Sequence, residues 1–127
     1  FLLAEKLLKQ LGTRRILVEI HAEATSEKLA MGYMLDGRVS AVYGTHTHVP
    51  TADLQILPGG TGYITDLGMS GPTGGIIGTD VQCVIDRFRT KMPQRFKLAG
   101  GPVAVMGALF ELDTDTGRVL SVTRVTF

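Results

Sequence analysis

The chain has only three histidines in 127 residues, and two of them, His46 and His48, stand one residue apart in the stretch Gly44-Thr45-His46-Thr47-His48. Neutral imidazole is a good ligand for zinc, iron, manganese and related ions. In an H-x-H segment that stays extended, both rings point to one face of the strand. A metal site needs further ligands. His21 follows a separate β-rich run, "RILVEI", and is the natural third member. The alternative is that His46 and His48 are loop residues, hydrogen-bonded or solvated.

The elements around these residues decide whether they can meet. Residues 16–20 read as a short strand that ends at His21. A helix capped by Thr25 or Ser26 follows, carrying Leu29, Ala30, Tyr33 and Met34, and Asp36-Gly37 stops it. The apolar run "VSAVYG" reads as a second buried strand that ends at the histidine pair. Strand, helix, strand in that order favours a parallel pair joined by a right-handed crossover. Both strands then end at the same edge of the sheet, where open α/β sheets build their ligand sites. His21, His46 and His48 all lie at that edge.

Four carboxylates lie close by in sequence: Glu19, Glu23, Asp53 and Asp66. Glu19 alternates onto the same face as His21, or is a solvated or salt-bridged edge residue. Glu23 can serve the positive end of the following helix. Asp66 precedes a Gly-rich loop and reads as a turn cap. That loop, residues 68–78, lacks the spacing of a phosphate-binding loop or a dinucleotide fingerprint. Its default role is connection, although its backbone amides could approach an anion.

The rest of the chain reads as one helix before this unit and mostly antiparallel pieces after it. Leu2, Leu3, Leu7, Leu8 and Leu11 repeat at helical spacing and Gly12 stops them. "LQILPGGTGYITD" reads as a hairpin across Pro58-Gly59-Gly60. "TDVQCVIDRFRTKM" restarts a helix, capped by Thr79 or Asp80, with Val81, Val84, Ile85, Phe88 and Met92 on one face. Cys83 lies within it and reads as core. The last two runs flank "TDTG" as a closing hairpin. The alternation in "RVLSVTRVTF" leaves neither face purely apolar, so the orientation of that strand stays open. The fold class is therefore α/β: a βαβ unit followed by mostly antiparallel strands and hairpins, in a single domain over residues 1–127.

Composition sets outer limits. The chain is 44% hydrophobic and 20% charged, which is globular. A net charge of +1 gives no broad electrostatic case for nucleic acid or an acidic membrane surface, and no DNA-binding signature is present. The single cysteine excludes CxxC metal sites and internal disulfides and fits a reducing, cytoplasmic setting. No apolar run approaches the ~20 residues of a membrane span. The opening at Phe1, directly in a helical pattern, suggests a piece of something longer or a processed product.

Residues 21–72, "HAEATSEKLAMGYMLDGRVSAVYGTHTHVPTADLQILPGGTGYITDLGMSGP", closely resemble the YmdB-like branch of the calcineurin-like metallophosphoesterases. "IIGTD", "RFRTKMP" and "TGRVLSVTRV" are similar to that branch too, so the resemblance covers nearly the whole chain from about residue 16. It implies a phosphodiesterase, with activity toward 2',3'-cyclic nucleotides among the expected reactions. It also implies two divalent ions, iron or manganese first, with zinc or magnesium as alternates. By that match, His21 and His46 ligate one ion and His48 the other. A hydroxide between the ions attacks phosphorus in line.

The same resemblance implies that this is the C-terminal half of a metallophosphoesterase α/β sandwich. The family's Asp, bridging carboxylate, Asn and leaving-group histidine belong to an N-terminal half, so no catalytic general acid is expected here. Glu19 and Ile20 stand where the family usually has Asp and Phe, and the Gly74-Gly75 region is also atypical. Neutral imidazoles alone compensate a divalent ion poorly. The expectation is weak binding of at most one metal, lost as pH falls below ~6.5, the ordinary histidine value. The isolated chain is then expected to be inactive or nearly so. It should pair with the missing half or self-associate as a homo-oligomer, since half a sandwich exposes an apolar face. Two other readings stand beside this one: a non-catalytic assembly or binding module with a vestigial metal site, and a mononuclear zinc hydrolase built on the three histidines.

Overall fold

The computed structural model describes residues 1–127 as two sheets and three helices. Helix α1 (Leu2–Leu8) leads into strand β1 (Leu17–His21), helix α2 (Thr25–Leu35) and strand β2 (Ala41–Thr45). β1 and β2 pair in parallel, Leu17 opposite Ala41 through His21 opposite Thr45. This is the expected βαβ unit. His21 is the last residue of β1 rather than a residue beyond it, because the parallel ladder runs one step further than the apolar run.

Strands β3 (Gln55–Ile56) and β4 (Gly62–Ile64) form the hairpin across Pro58-Gly59-Gly60. β4 also pairs in parallel with β2, giving the order β1-β2-β4-β3. Asp36, just past α2, accepts the Gly59 and Thr61 amides at 2.7 and 3.3 Å, so the hairpin tip is tied to the helix end.

α2 covers one face of this sheet. Met31, Leu35, Val39, Val42, Leu57 and Tyr63 form the buried cluster there, with Val18 and Ile20 of β1 packed against it. Each such side chain contributes about 1.5–3 kcal/mol by leaving water. The stripe that α2 buries is Lys28, Met31, Gly32 and Leu35, whereas Leu29 and Tyr33 are exposed. The sequence pattern misled here because the stripe includes a lysine. Neither Thr25 nor Ser26 caps α2. The cap is Ala24, whose carbonyl already accepts the Lys28 amide, and no side chain takes part.

The second sheet holds β5 (Ser70–Pro72), β6 (Val103–Leu112) and β7 (Val119–Thr126), all antiparallel, in the order β5-β6-β7. β5 lies inside the stretch read as pure loop. It forms because β6 offers it a partner, Gly71 opposite Ala104. This sheet packs on the first through Phe110 and Val119. A Cβ on Gly62 of β4 would come within 2.5 Å of the Phe110 ring. Val119 is buried, which orients β7. The opposite face leaves Val103, Val105 and Leu109 exposed.

Helix α3 (Val81–Thr90) is capped by Asp80, which accepts the Cys83 amide at 3.0 Å. Its apolar stripe is not a core. Only Val84 is buried, and Phe88 is 78% exposed. Cys83 is likewise half-buried, with its thiol donating to the Arg95 carbonyl. No helix is long and apolar enough to cross a membrane.

Candidate metal centre

His21 ends β1 directly opposite Thr45, the last residue of β2. The Thr45 hydroxyl lies 2.9 Å from His21 Nδ1 and donates at 2.9 Å to Glu19, which shares His21's face. A hydroxyl has one proton. If Glu19 takes it, Thr45 must accept the His21 Nδ1–H, and His21 Nε2 is left with a bare lone pair.

That lone pair faces His46. His21 Nε2 and His46 Nδ1 are 3.2 Å apart, and the rings meet edge to face at 77° with centroids 5.0 Å apart. The outer nitrogen of His46 is engaged with Glu23, 2.6 Å away. An ionised Glu23 accepts the Nε2–H, so a neutral His46 also turns a bare lone pair inward. Two lone pairs at that distance repel unless a proton or a cation lies between them. Two ligands bonded to one ion at about 2.1 Å, and roughly at right or tetrahedral angles, sit about 3.0–3.4 Å apart. The His21–His46 pair therefore fits a divalent ion as two neighbouring ligands. Each ring also has its outer nitrogen fixed by an acceptor, the arrangement that orients histidines in metal sites.

His48 does not join them. β2 ends at Thr45, and His46 and His48 both have positive φ, 116° and 63°. The same-face rule for H-x-H applies only on a strand, and here the two rings diverge. His48 Nδ1 donates to the Ile77 carbonyl at 3.3 Å, leaving Nε2 free. Ile77 itself has φ 45°, an uncommon conformation for a β-branched residue. No three His, Cys, Asp or Glu side chains gather closely enough to enclose an ion. Thus the structure brings together His21 and His46 and sets His48 apart, against the Gly-rich loop.

The carboxylates divide differently from the sequence reading. Glu23 is the partner of His46 rather than only a first-turn charge for α2. Glu19 holds the Thr45 relay. Asp53 accepts from the Thr65 amide and hydroxyl. Asp66 does cap a turn, accepting the Gly68 amide at 3.0 Å, and it also takes the Thr47 amide at 2.9 Å and the Lys28 ammonium at 2.8 Å. Burial pushes the Asp66 carboxyl upward, but the bonds from Lys28, Thr47 and Gly68 outweigh it and hold the carboxyl below the usual Asp value. Asp53 is held low in the same way, with burial outweighed by its bonds from Thr51 and Thr65.

Gly44 opens the histidine stretch for a steric reason. A Cβ there would stand 1.8 Å from the Thr65 carbonyl oxygen and 2.7 Å from Lys28 Cδ. Only glycine lets β2 pass this point and deliver Thr45 to His21.

The sequence profile of the YmdB-like protein family matches residues 1–125. The chain belongs to the YmdB-like family. A relative from Bacillus subtilis (strain 168), named 2',3'-cyclic-nucleotide 2'-phosphodiesterase, is 49% identical over 127 residues, covering 98% of this chain and 48% of the relative. The crystal structure of a hypothetical protein from Thermus thermophilus superposes with a TM-score of 0.88 at 45% identity, covering 98% of this chain and 48% of that one. The crystal structure of a novel phosphatase from Mycoplasma pneumoniae superposes with a TM-score of 0.93 at 36% identity, covering 98% and 45%. This YmdB-like chain thus spans about half the length of the relatives it matches.

Proposed function

We propose that this chain supplies the histidine side of a two-metal phosphodiesterase centre, acting on 2',3'-cyclic nucleotides or related phosphodiesters. The observation that carries this reading is the His21 Nε2–His46 Nδ1 pair at 3.2 Å, with both outer nitrogens anchored. His21 and His46 would hold one ion, and His48, whose Nε2 is free, would hold the second. A divalent ion, iron or manganese first, would neutralise phosphate charge and activate water for attack on phosphorus.

The chain's own residues prepare the site. Thr45 and Glu19 orient His21, Glu23 orients His46, and the Ile77 carbonyl orients His48. The bridging carboxylate and the general acid would come from the part of the family's length that this chain does not span. By that reading residues 1–127 act as a single unit that hydrolyses phosphodiesters poorly or not at all alone. The name of the Bacillus relative favours a cyclic nucleotide as substrate. The free thiol of Cys83 favours a reducing, cytoplasmic setting. The exposed Val103, Val105 and Leu109 favour cover by the remaining half or by a second copy.

Titration of the metal-free chain with Mn2+, followed by paramagnetic broadening of the histidine ring resonances, tests the ligand assignment. His21 and His46 should broaden first, and His46→Ala should weaken binding at least tenfold. Binding that survives both His21→Ala and His46→Ala unchanged would end this reading.

A further inference from the structure

We propose that the buried Lys28–Asp66 ion pair is a positioning device that holds the histidine loop in its working shape. The metal-binding consequence of this role rests on the ligand reading above; the positioning itself does not. Both side chains are 0% exposed, and the Lys28 ammonium meets Asp66 Oδ2 at 2.8 Å. Desolvating two charges opposes their attraction, so a well-packed apolar pair in the same place is often as stable or more so. Stability alone therefore does not explain the pair. What an apolar pair cannot do is accept a hydrogen bond.

Asp66 accepts one at the centre of the site. Its Oδ2 takes the amide of Thr47, the residue between the two histidines, at 2.9 Å. That residue is flanked by His46 at φ 116° and His48 at φ 63°. Positive φ is unfavourable for residues with a Cβ and persists only where the surroundings impose it. The Thr47 amide is a point where the surroundings can act on both flanking residues at once.

The anchor is itself fixed. The Asp66 backbone amide donates to the Thr51 hydroxyl at 2.9 Å, its carbonyl accepts the Thr51 amide at 3.1 Å, and its Oδ1 accepts the Gly68 amide at 3.0 Å. Lys28 enters from the buried stripe of α2 and passes the point where a Gly44 side chain would stand. The ammonium fixes which way Oδ2 faces. Helix α2, the glycine of the histidine stretch and the end of β4 are thereby joined to a single backbone amide between His46 and His48. Lys28 and Asp66 touch neither histidine ring. They act through Thr47.

The test uses the 127-residue chain, metal-free, with two variants. The double variant Lys28→Met/Asp66→Leu keeps the approximate length and the branching of each side chain and removes both charges and the acceptor. It should fold with unchanged far-UV circular dichroism, with a midpoint temperature lowered by no more than the loss of the Thr47 and Gly68 bonds implies. Its Thr47 amide should exchange with solvent at least tenfold faster, and the NOE between the His21 and His46 rings should vanish. A folded double variant that keeps that NOE and the parent exchange rate overturns the proposal. Lys28→Met/Asp66→Ala serves where the first double variant does not fold. It leaves no buried charge and no side-chain acceptor within reach of the Thr47 amide. The same two changes are expected, and parent values for both again overturn the proposal. Mn2+ titration then separates the two readings. If the parent binds Mn2+, the folded variant should bind it at least tenfold more weakly, and equal affinity counts against the clamp. If the parent binds none, the ligand reading fails, and the ring NOE and Thr47 exchange still decide the clamp.

Discussion

Thr45 carries more of the site than its type suggests. Its hydroxyl is the only link between His21 Nδ1 and Glu19. Thr45→Val keeps the branched shape that suits a strand and removes that link. With His21 as a ligand in the proposed centre, the expected outcome is Mn2+ binding about 10–100-fold weaker, the usual effect of losing a partner of a ligating histidine. Stability should change by no more than about 1 kcal/mol, because the site lies at an exposed edge. Calorimetric titration and urea unfolding together check this. His21 and His46 were legible in the sequence as partners because β-rich runs ending on a shared edge are a strong pattern. The divergence of His48 was not legible, since positive φ at two non-glycine residues leaves no periodic trace. Glu23 was hidden by its place just before α2, where a carboxylate has an ordinary role. Lys28 was hidden because the charge of a lysine argues for a solvated face.

Among the elements, β2 is the one whose exact path matters most. Gly44 lies where a Cβ would enter the Thr65 carbonyl. Gly44→Ala must push β2 away from the end of β4 or distort the Thr45–His21 pairing. We expect destabilisation of about 3 kcal/mol or more, at the upper end of overpacking costs, read from denaturant midpoints. The elements followed the sequence where local chemistry fixes them: Asp80 starts α3, Pro58-Gly59-Gly60 turns β3 into β4, and the turn before Gly117 joins β6 to β7. They departed from it where a distant partner decides. Ser70–Pro72 has little strand preference of its own and is extended only because β6 lies beside it. The cap of α2 moved to Ala24, which leaves only Ala22 and Glu23 between it and the end of β1.

Across the whole molecule, charge and exposed surface set the behaviour in solution. Asp66 and Asp53 stay ionised below the ordinary Asp value when folded. The unfolded chain therefore takes up protons first as pH falls. Their contribution is complete above ~3.9 and drains away as pH drops through the depressed folded values. Urea midpoints should be level between pH 5 and 7 and decline steeply below 4. In the same solutions, the exposed Phe88, Met92, Val103, Val105 and Leu109 should drive association. Sedimentation should show species larger than a monomer that grow with concentration, and a strict monomer at all concentrations would contradict this.

The strand order β1-β2-β4-β3 also has a consequence for timing. Hairpins such as β6–β7 close quickly because their partners are neighbours along the chain. The parallel contacts of β2 with β1 and β4 must wait for long stretches to loop back. Pulsed amide labelling during refolding should therefore find β6 and β7 protected before Thr45 and His21. A chain caught midway would already carry its outer ribbon while the two rings at the sheet's end had yet to meet.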